Sequence, residues 1–398
     1  MEELNGTVEV AAAWVRGGTS KCWIFAAEAV DAAPLALETL LENALGAGDA
    51  RQIDGVGGAT STTSKIAVVA RSEHAEADVD YLFGQVGIAD RVVEWGSNCG
   101  NCATAVGLYA VQEGLVPLDA EQTTVRLRNV NTGAILSTSV PTPGGRAPER
   151  GDAHVPGVAS GGIPVDLTFE GPFTRDRAFP TGRASEAVQA GGRAAEATIV
   201  SAGAPALLLD AAGLGLTGAE GIAELAERVP MLTPFRAEGA VLHGIIARGE
   251  PAPNAVPKTG VVGPARDYVA SDGTAVAAGE YDVSVRMLSM HAPHPAIGLT
   301  SAVAVAVAAA TPGTVVARYL PADARTVRIG TASGVVEASW TTAPDGTVEA
   351  VSLHRAARRL ATAVLHVPTA GALAAAGREA PAEGAQHRPA AAPLAVPA

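Results

Sequence analysis

Residues Thr300 to Ala310 contain no charged side chain and, after Ser301, no polar one until the Thr311-Pro312-Gly313 stop. An apolar segment of this length with no polar face must be enclosed on all sides. Val303, Val305 and Val307 alternate as in a strand, but the alanines and the stop favour a helix. The turn Met290-His291-Ala292-Pro293-His294-Pro295 leads into it. The first half of the chain repeats this order, with a strand over Arg91 to Trp95, the polar turn Gly96-Ser97-Asn98-Cys99-Gly100-Asn101, and a helix from Cys102 to about Glu113 that Gly114 and Pro117 end. Each half thus reads as strands, a polar turn and an apolar helix, an internal duplication with little sequence identity.

Around these helices the sequence reads mainly as strands. Thr7 to Phe25 is strand, glycine turn, strand, and a short helix over Pro34 to Leu45 follows. Ile66 to Arg71 is a buried strand, and strands dominate from Thr123 to Phe169. Pro- and Gly-rich sequence from Phe179 to Gly192 reads as a linker. Beyond it lie strands near Ala197–Val200 and Ala206–Leu209, a helix near Gly218–Arg228, and strands near Ala240–Ala247 and Val256–Val262. With 398 residues, two domains are expected, placed at 1–182 and 183–370. The Ala/Pro-rich residues 371–398 read as a disordered tail.

Charge and cysteine content narrow the function. The net charge of −13 argues against nucleic-acid and membrane-surface partners, which need basic fields. No apolar run reaches a membrane-spanning length, and the amino terminus carries no secretory signal core. Three cysteines are no disulfide framework, which points to a reducing cytoplasm. A homodimer is compatible with the sequence, which marks no exposed seam for one.

Two loops carry residues suited to chemistry. Cys99, between a strand end and a helix start, faces unsatisfied backbone N–H groups and the positive end of a helix dipole. Both favour thiolate and lower a thiol pKa, and the N–H groups of Gly100 and Asn101 form a carboxylate site. A buried structural cysteine is the alternative. Lys65 closes the loop that starts at Gly55. A phosphate-loop reading fails there, because Ser64 precedes the lysine and Ile66 follows it. A lysine entering an apolar strand has its ammonium form disfavoured and can act as a base, or it can merely snorkel. Arg16-Gly17-Gly18-Thr19-Ser20-Lys21 suits a carboxylate through Arg16 and Ser20. His291 and His294 are acid/base candidates or plain turn residues. Cys102 and Cys22 read as packing, and no metal site, hydrolase elbow or dinucleotide fingerprint is present.

Taken in order, Arg16-Gly17-Gly18-Thr19-Ser20-Lys21, Ile53-Asp54-Gly55-Val56-Gly57-Gly58 with Ser64-Lys65, Asn98-Cys99-Gly100-Asn101, Asn131-Thr132-Gly133, Pro180-Thr181-Gly182, Pro257-Lys258 and His294-Pro295-Ala296 resemble the PrpF family of isomerases, relatives of diaminopimelate epimerase. The resemblance implies an α+β fold of two similar domains. Each is a curved mixed β-sheet or barrel around a central helix, with the active site in the interdomain cleft. It implies Lys65 and Cys99 as the catalytic pair, and no cofactor or metal. The implied reaction is an allylic proton transfer, a double-bond shift or cis–trans exchange, on a small unsaturated di- or tricarboxylate such as aconitate or 2-methylaconitate. Arg16, Ser20, Ser64, Asn98, Gly100, Asn101, His294, Thr300 and Ser301 are the substrate-binding candidates. Cys22 and Cys102 depart from the family pattern. A non-catalytic partner of an aconitase-like enzyme is one alternative. An amino-acid epimerase is another, weakened because the wider fold's epimerases use one cysteine from each half and the second half here has none.

Overall fold

In a computed structural model of the protein, residues 6–95, 99–253, 256–289 and 292–369 are described. They divide into two compact units: residues up to Leu167 together with those from Arg355 onward, and Thr168–His354. The sequence reading divided the chain at 182/183. In the structure the division falls earlier, and the end of the chain returns to the first unit.

The first unit has six principal strands: β1 (Thr7–Gly17), β2 (Ser20–Ala26), β3 (Lys65–Arg71), β4 (Val79–Val86), β5 (Gln122–Asn129) and β6 (Ile135–Pro141). Their pairings run antiparallel, parallel, antiparallel, parallel, antiparallel along that order. A parallel pair cannot be closed by a hairpin and needs a crossover of a dozen or more residues. The β2–β3 crossover contains the helix Leu37–Leu45. The β4–β5 crossover contains α1 (Gly100–Gln112). Helix α1 touches all six strands, and every residue from Cys102 to Val111 is buried. Small side chains there (Ala103, Ala105, Gly107, Ala110) let the sheet approach closely.

The second unit repeats the scheme. Strands β7 (Arg193–Ala202), β8 (Ala204–Asp210), β9 (Lys258–Pro264), β10 (Val283–Ser289), β11 (Thr326–Thr331) and β12 (Gly334–Thr342) pair in the same antiparallel–parallel alternation. The β8–β9 crossover contains α2 (Ile222–Leu242), and the β10–β11 crossover contains α3 (Leu299–Ala310). Even a two-residue arm is repeated, Val93–Glu94 on β4 and Ala292–Pro293 on β10. The duplication read from the sequence is therefore a duplication of topology. Helix α3 is buried from Ser301 to Ala309 against β7, β8, β11 and β12, so the helical reading of Thr300–Ala310 holds over the strand period. A long strand, β13 (Val348–Pro368), pairs with β12 through Leu353 and with β1 from Ala357 onward.

Two local readings change. Ala240–Ala247 is not a strand: its first three residues complete α2, which runs on past Pro230 and Pro234. Each proline removes a helical hydrogen bond. The buried positions Leu225, Leu232, Phe235, Arg236, Gly239 and Ala240 nevertheless keep helical spacing, and packing of that stripe outweighs the local defects. The segment Phe179–Gly192 is not wholly linker, since Glu186–Ala190 forms a strand antiparallel to β7. No described helix is long and apolar enough to cross a membrane. The tail 371–398 lies outside the described residues.

Candidate active site

The β1–β2 hairpin is pinned to the first turn of α1. Arg16 pairs with Lys21 and Gly17 with Ser20, so the tip is Gly18-Thr19. Gly18 has φ +56, and a β-carbon there would fall on Asn101 Oδ1. Only glycine meets both demands. Asn101 then reaches across the tip, its Nδ2 donating to Thr19 Oγ1 at 3.1 Å and to Ser20 Oγ at 3.2 Å. This fixes Gly100 and Asn101, whose backbone N–H groups begin α1, and Cys99, its N-cap residue.

Lys65 opens β3 and lies opposite Gln85 of β4. Its Nζ donates to Gln85 Oε1 at 2.6 Å and sits 5.1 Å from the Phe83 ring centroid. Gln85 is itself held, its Nε2 donating to the Ser64 carbonyl at 2.8 Å. The parallel β2–β3 register sets Trp23 against Ile66. Lys65 therefore falls in electrostatic reach of Cys99 and of the buried Cys22 and Cys102. Lys65 and Cys99, which are 34 positions apart in sequence, thus come within electrostatic reach of each other.

Cys99 interacts by hydrogen bonding with Cys102, and Cys102 with Cys22. That bond to Cys102, then burial, push the Cys99 thiol well above its ordinary range, and Lys65 offsets only part of the rise. Burial first, then the bond to Cys22, push Cys102 up as well. Burial pulls Lys65 down, but negative charge on Cys99, Cys102 and Cys22 together outweighs it, so its pKa is raised. The sequence reading expected both groups lowered. A second and third thiol packed nearby reverse that: Cys102 disfavours the Cys99 thiolate, and the three cysteines together favour the Lys65 ammonium. At neutral pH the resting pair is an ammonium and a thiol.

The remaining candidates fall into three sets. Arg16 is buried and committed to backbone: Nη1 donates to the carbonyls of Gly18 (3.1 Å) and Ala356 (3.3 Å), and Nη2 to those of Gly161 (3.0 Å) and Ser160 (3.5 Å). Burial, then Arg358, lower its pKa. Ser64 is fully buried and its hydroxyl donates to Gln52, which also receives the Ala59 N–H at 2.7 Å. In the second unit, Thr300 and Ser301 begin α3 behind the N-cap Gly298. A β-carbon on Gly298 would lie 3.6 Å from Ser301 Oγ and 4.0 Å from His294 Nε2. His294 Nδ1 accepts the Ala296 N–H at 3.0 Å, which leaves Nε2 to carry the hydrogen of the neutral ring. Asn98 and His291 lie outside the described residues. One residue escaped the sequence reading: Arg355, buried at 6% exposure on β13, whose Cδ would lie 3.8 Å from a β-carbon on Gly18. A single arginine far from every glycine-rich loop gave no sequence signal.

With this geometry in view, comparison with known proteins is informative. The family model described as PrpF protein matches residues 7–368. A 2-methyl-aconitate isomerase of Shewanella oneidensis is 36% identical, over 91% of this chain and 97% of that protein. A (4E)-oxalomesaconate Delta-isomerase of a Novosphingobium species is 34% identical, over 89% and 96%. The crystal structure of a methylitaconate-delta-isomerase superposes with a TM-score of 0.79 at 29% identity, over 97% of this chain and all of that one. Matched along nearly its whole described length in sequence and in fold, the chain belongs to the PrpF family.

Proposed function

We propose that this protein is a cofactor-independent isomerase that moves an allylic proton on a small unsaturated di- or tricarboxylate, with Lys65 and Cys99 as its acid/base pair. The observation that carries the reading is the coupling of these two groups at the start of a buried helix, in a family whose matched relatives are isomerases of such acids. One group removes a proton from the carbon between the double bond and an activating carboxylate. Charge spreads into a dienolate, and the N–H groups of Gly100 and Asn101 face it. The other group delivers a proton at the far end of the three-carbon unit, which shifts the double bond. Delivery at the original carbon after rotation exchanges cis for trans. The pair must lose one of its two resting protons before a cycle starts.

Ser20 and Asn101 are proposed carboxylate ligands, and His294, Thr300 and Ser301 are proposed to bind an anion at the start of α3. Arg16 and Ser64 are assigned instead to holding the hairpin and the Lys65 loop, because both terminal nitrogens of Arg16 and the Ser64 hydroxyl already donate within the fold. A cytoplasmic site of action fits three adjacent free thiols. The epimerase alternative is disfavoured because the position corresponding to Cys99 in the second unit, the N-cap of α3, is Gly298.

Proton NMR in D₂O tests the reading, with cis-aconitate, trans-aconitate, 2-methylaconitate, 3-methylitaconate and oxalomesaconate in separate tubes. Formation of an isomer with deuterium at the exchanged carbon is expected for at least one acid. No conversion and no exchange in any tube would sink the proposal and favour a non-catalytic binding role.

A further inference from the structure

Two buried arginines of the described residues are hydrogen-bonded through most of their guanidinium, although the Nε of Arg16 is unpartnered. Arg16 donates to four backbone carbonyls. Arg286, 2% exposed, donates to those of Glu220 (2.7 Å), Val285 (3.1 Å) and Gly330 (3.0 Å), with Tyr268 beneath it. Arg355 differs from these two. Among the described residues its guanidinium has no hydrogen-bond or ion-pair partner, and its Nε is sealed from solvent. Burial alone, with no carboxylate nearby to oppose it, pulls its pKa down to about 10. Burying a guanidinium without a counter-charge is costly, so a fold keeps one only where something offsets the cost.

The place of Arg355 says what repays it. Its stem lies beside Gly18. The carbonyl of the next residue, Ala356, receives the Gly18 N–H at 2.9 Å. The space that a Gly18 side chain would fill is bounded by Arg355 Cδ and by Asn101 Oδ1. Asn101 is the second residue of α1, two after Cys99. The stem of the unpaired cation therefore lies beside the hairpin tip that packs on the first turn of the helix carrying the proposed acid/base cysteine. An anion there would meet both the guanidinium fork and the free N–H groups of the helix start.

We infer that Arg355 is a substrate-binding residue, whose guanidinium takes one carboxylate of the unsaturated acid and holds it beside the N-terminus of α1. The inference deepens the proposed function and rests on it for the identity of the anion, though not for the existence of an anion site. It also explains how an acidic chain admits a polyanion, through enclosed cations in place of a basic surface.

Calorimetric titration and thermal melts with propane-1,2,3-tricarboxylate, which has no double bond to shift, test it on wild type, Arg355→Met and Arg355→Lys. Wild type should bind, and its melting temperature should rise with ligand. Arg355→Met should bind about 10²–10³-fold more weakly, as expected when a desolvated charge partner is removed. Arg355→Lys should fall between, keeping the charge but losing the fork. Without ligand, Arg355→Met should melt no lower than wild type, because an uncompensated charge has gone; a structural role would lower it. Binding unchanged in Arg355→Met, no binding by wild type, or both variants melting well below wild type would overturn the assignment. The two proposals fail separately. Binding lost in Arg355→Met while wild type isomerises none of the unsaturated acids keeps the anion site and removes the isomerase. Isomerisation with KM unchanged in Arg355→Met does the reverse.

Discussion

The two units share a scaffold and differ in what they place on it. Lys65 opens β3 and Lys258 opens β9, the same strand of the repeated order. Gly18 (φ +56) and Gly203 (φ +68) turn corresponding hairpins against corresponding helices, where a β-carbon would meet Asn101 in one and Thr300 in the other. At the helix N-caps the likeness ends: Cys99 begins α1 and Gly298 begins α3. The backbone that supplies N–H groups is kept twice, whereas the thiol is kept once. The lesson is that backbone anion sites follow from topology and are copied with it, while proton-transfer groups depend on single side chains.

The largest expected effect breaks or confirms this asymmetry. Lys65→Met and Cys99→Ala should each lower turnover roughly 10²–10⁴-fold, with the circular-dichroism spectrum unchanged. Lys258→Met should cost only a small part of that, because no thiol stands at the N-cap of its helix. Equal losses from the two lysine variants would mean that both units supply proton-transfer groups.

Next in size is the hairpin pair. Gly18→Ala and Gly203→Ala should each destabilise the fold by about 1–3 kcal/mol from the left-handed backbone alone, read by urea unfolding. Gly18→Ala should also lower turnover beyond its stability cost, since it displaces Asn101 from the start of α1. If Gly203→Ala proved the more damaging to turnover, the second unit would be the chemically dominant one.

Smaller is the effect of pH on rate. Both members of the pair hold their protons at neutral pH, so kcat/KM should climb as pH rises above neutral and the pair gives up its first proton. In Cys99→Ala the negative charge that supports the Lys65 ammonium is reduced. The lysine should then titrate at lower pH, which NMR of labelled lysine would detect. An alkaline limb that merely falls from neutral pH would contradict the resting state described above.

Smallest is the pH dependence of stability. Unfolded thiols ionise near about pH 8.5, whereas Cys99 and Cys102 in the fold hold their protons to higher pH. Above the unfolded value the unfolded chain binds fewer protons, so stability is full below that pH and declines as pH rises towards the folded values. The raised Lys65 contributes in the same direction. Cys102→Ala should flatten the decline, and an unchanged slope by urea unfolding would show that the thiols are not its source.

What could be read in advance was local. The β1–β2 hairpin, β3, the start of α1 and the enclosed helix α3 each announce themselves over a few residues, by glycine placement or by the lack of any polar face. The placement of Lys65 and Cys99 on element starts followed from the same signals. Misreadings occurred where a local signal met a larger packing demand, as in the proline-bearing α2, or where a Pro/Gly-rich stretch hid the short strand Glu186–Ala190 beside β7.

The sequence by itself determined the duplicated plan, the family pattern and the two element starts that carry Lys65 and Cys99, because propensity, patterning and turn chemistry act between near neighbours. Only the tertiary structure shows which guanidinium bonds to backbone carbonyls and which has no partner among the described residues. Arg16 looked like the ligand, but its guanidinium meets the carbonyls of Gly161 and Ala356, about 145 and 340 positions away. Arg355 drew no attention, yet the same hairpin encloses its stem and offers its guanidinium nothing. Long-range backbone carbonyls satisfy one arginine and miss the other, and no spacing in the sequence records which. The same holds for the thiols: Cys102 raises the pKa of Cys99, and Cys22 that of Cys102, only because parallel β2–β3 pairing and the start of α1 bring the three together.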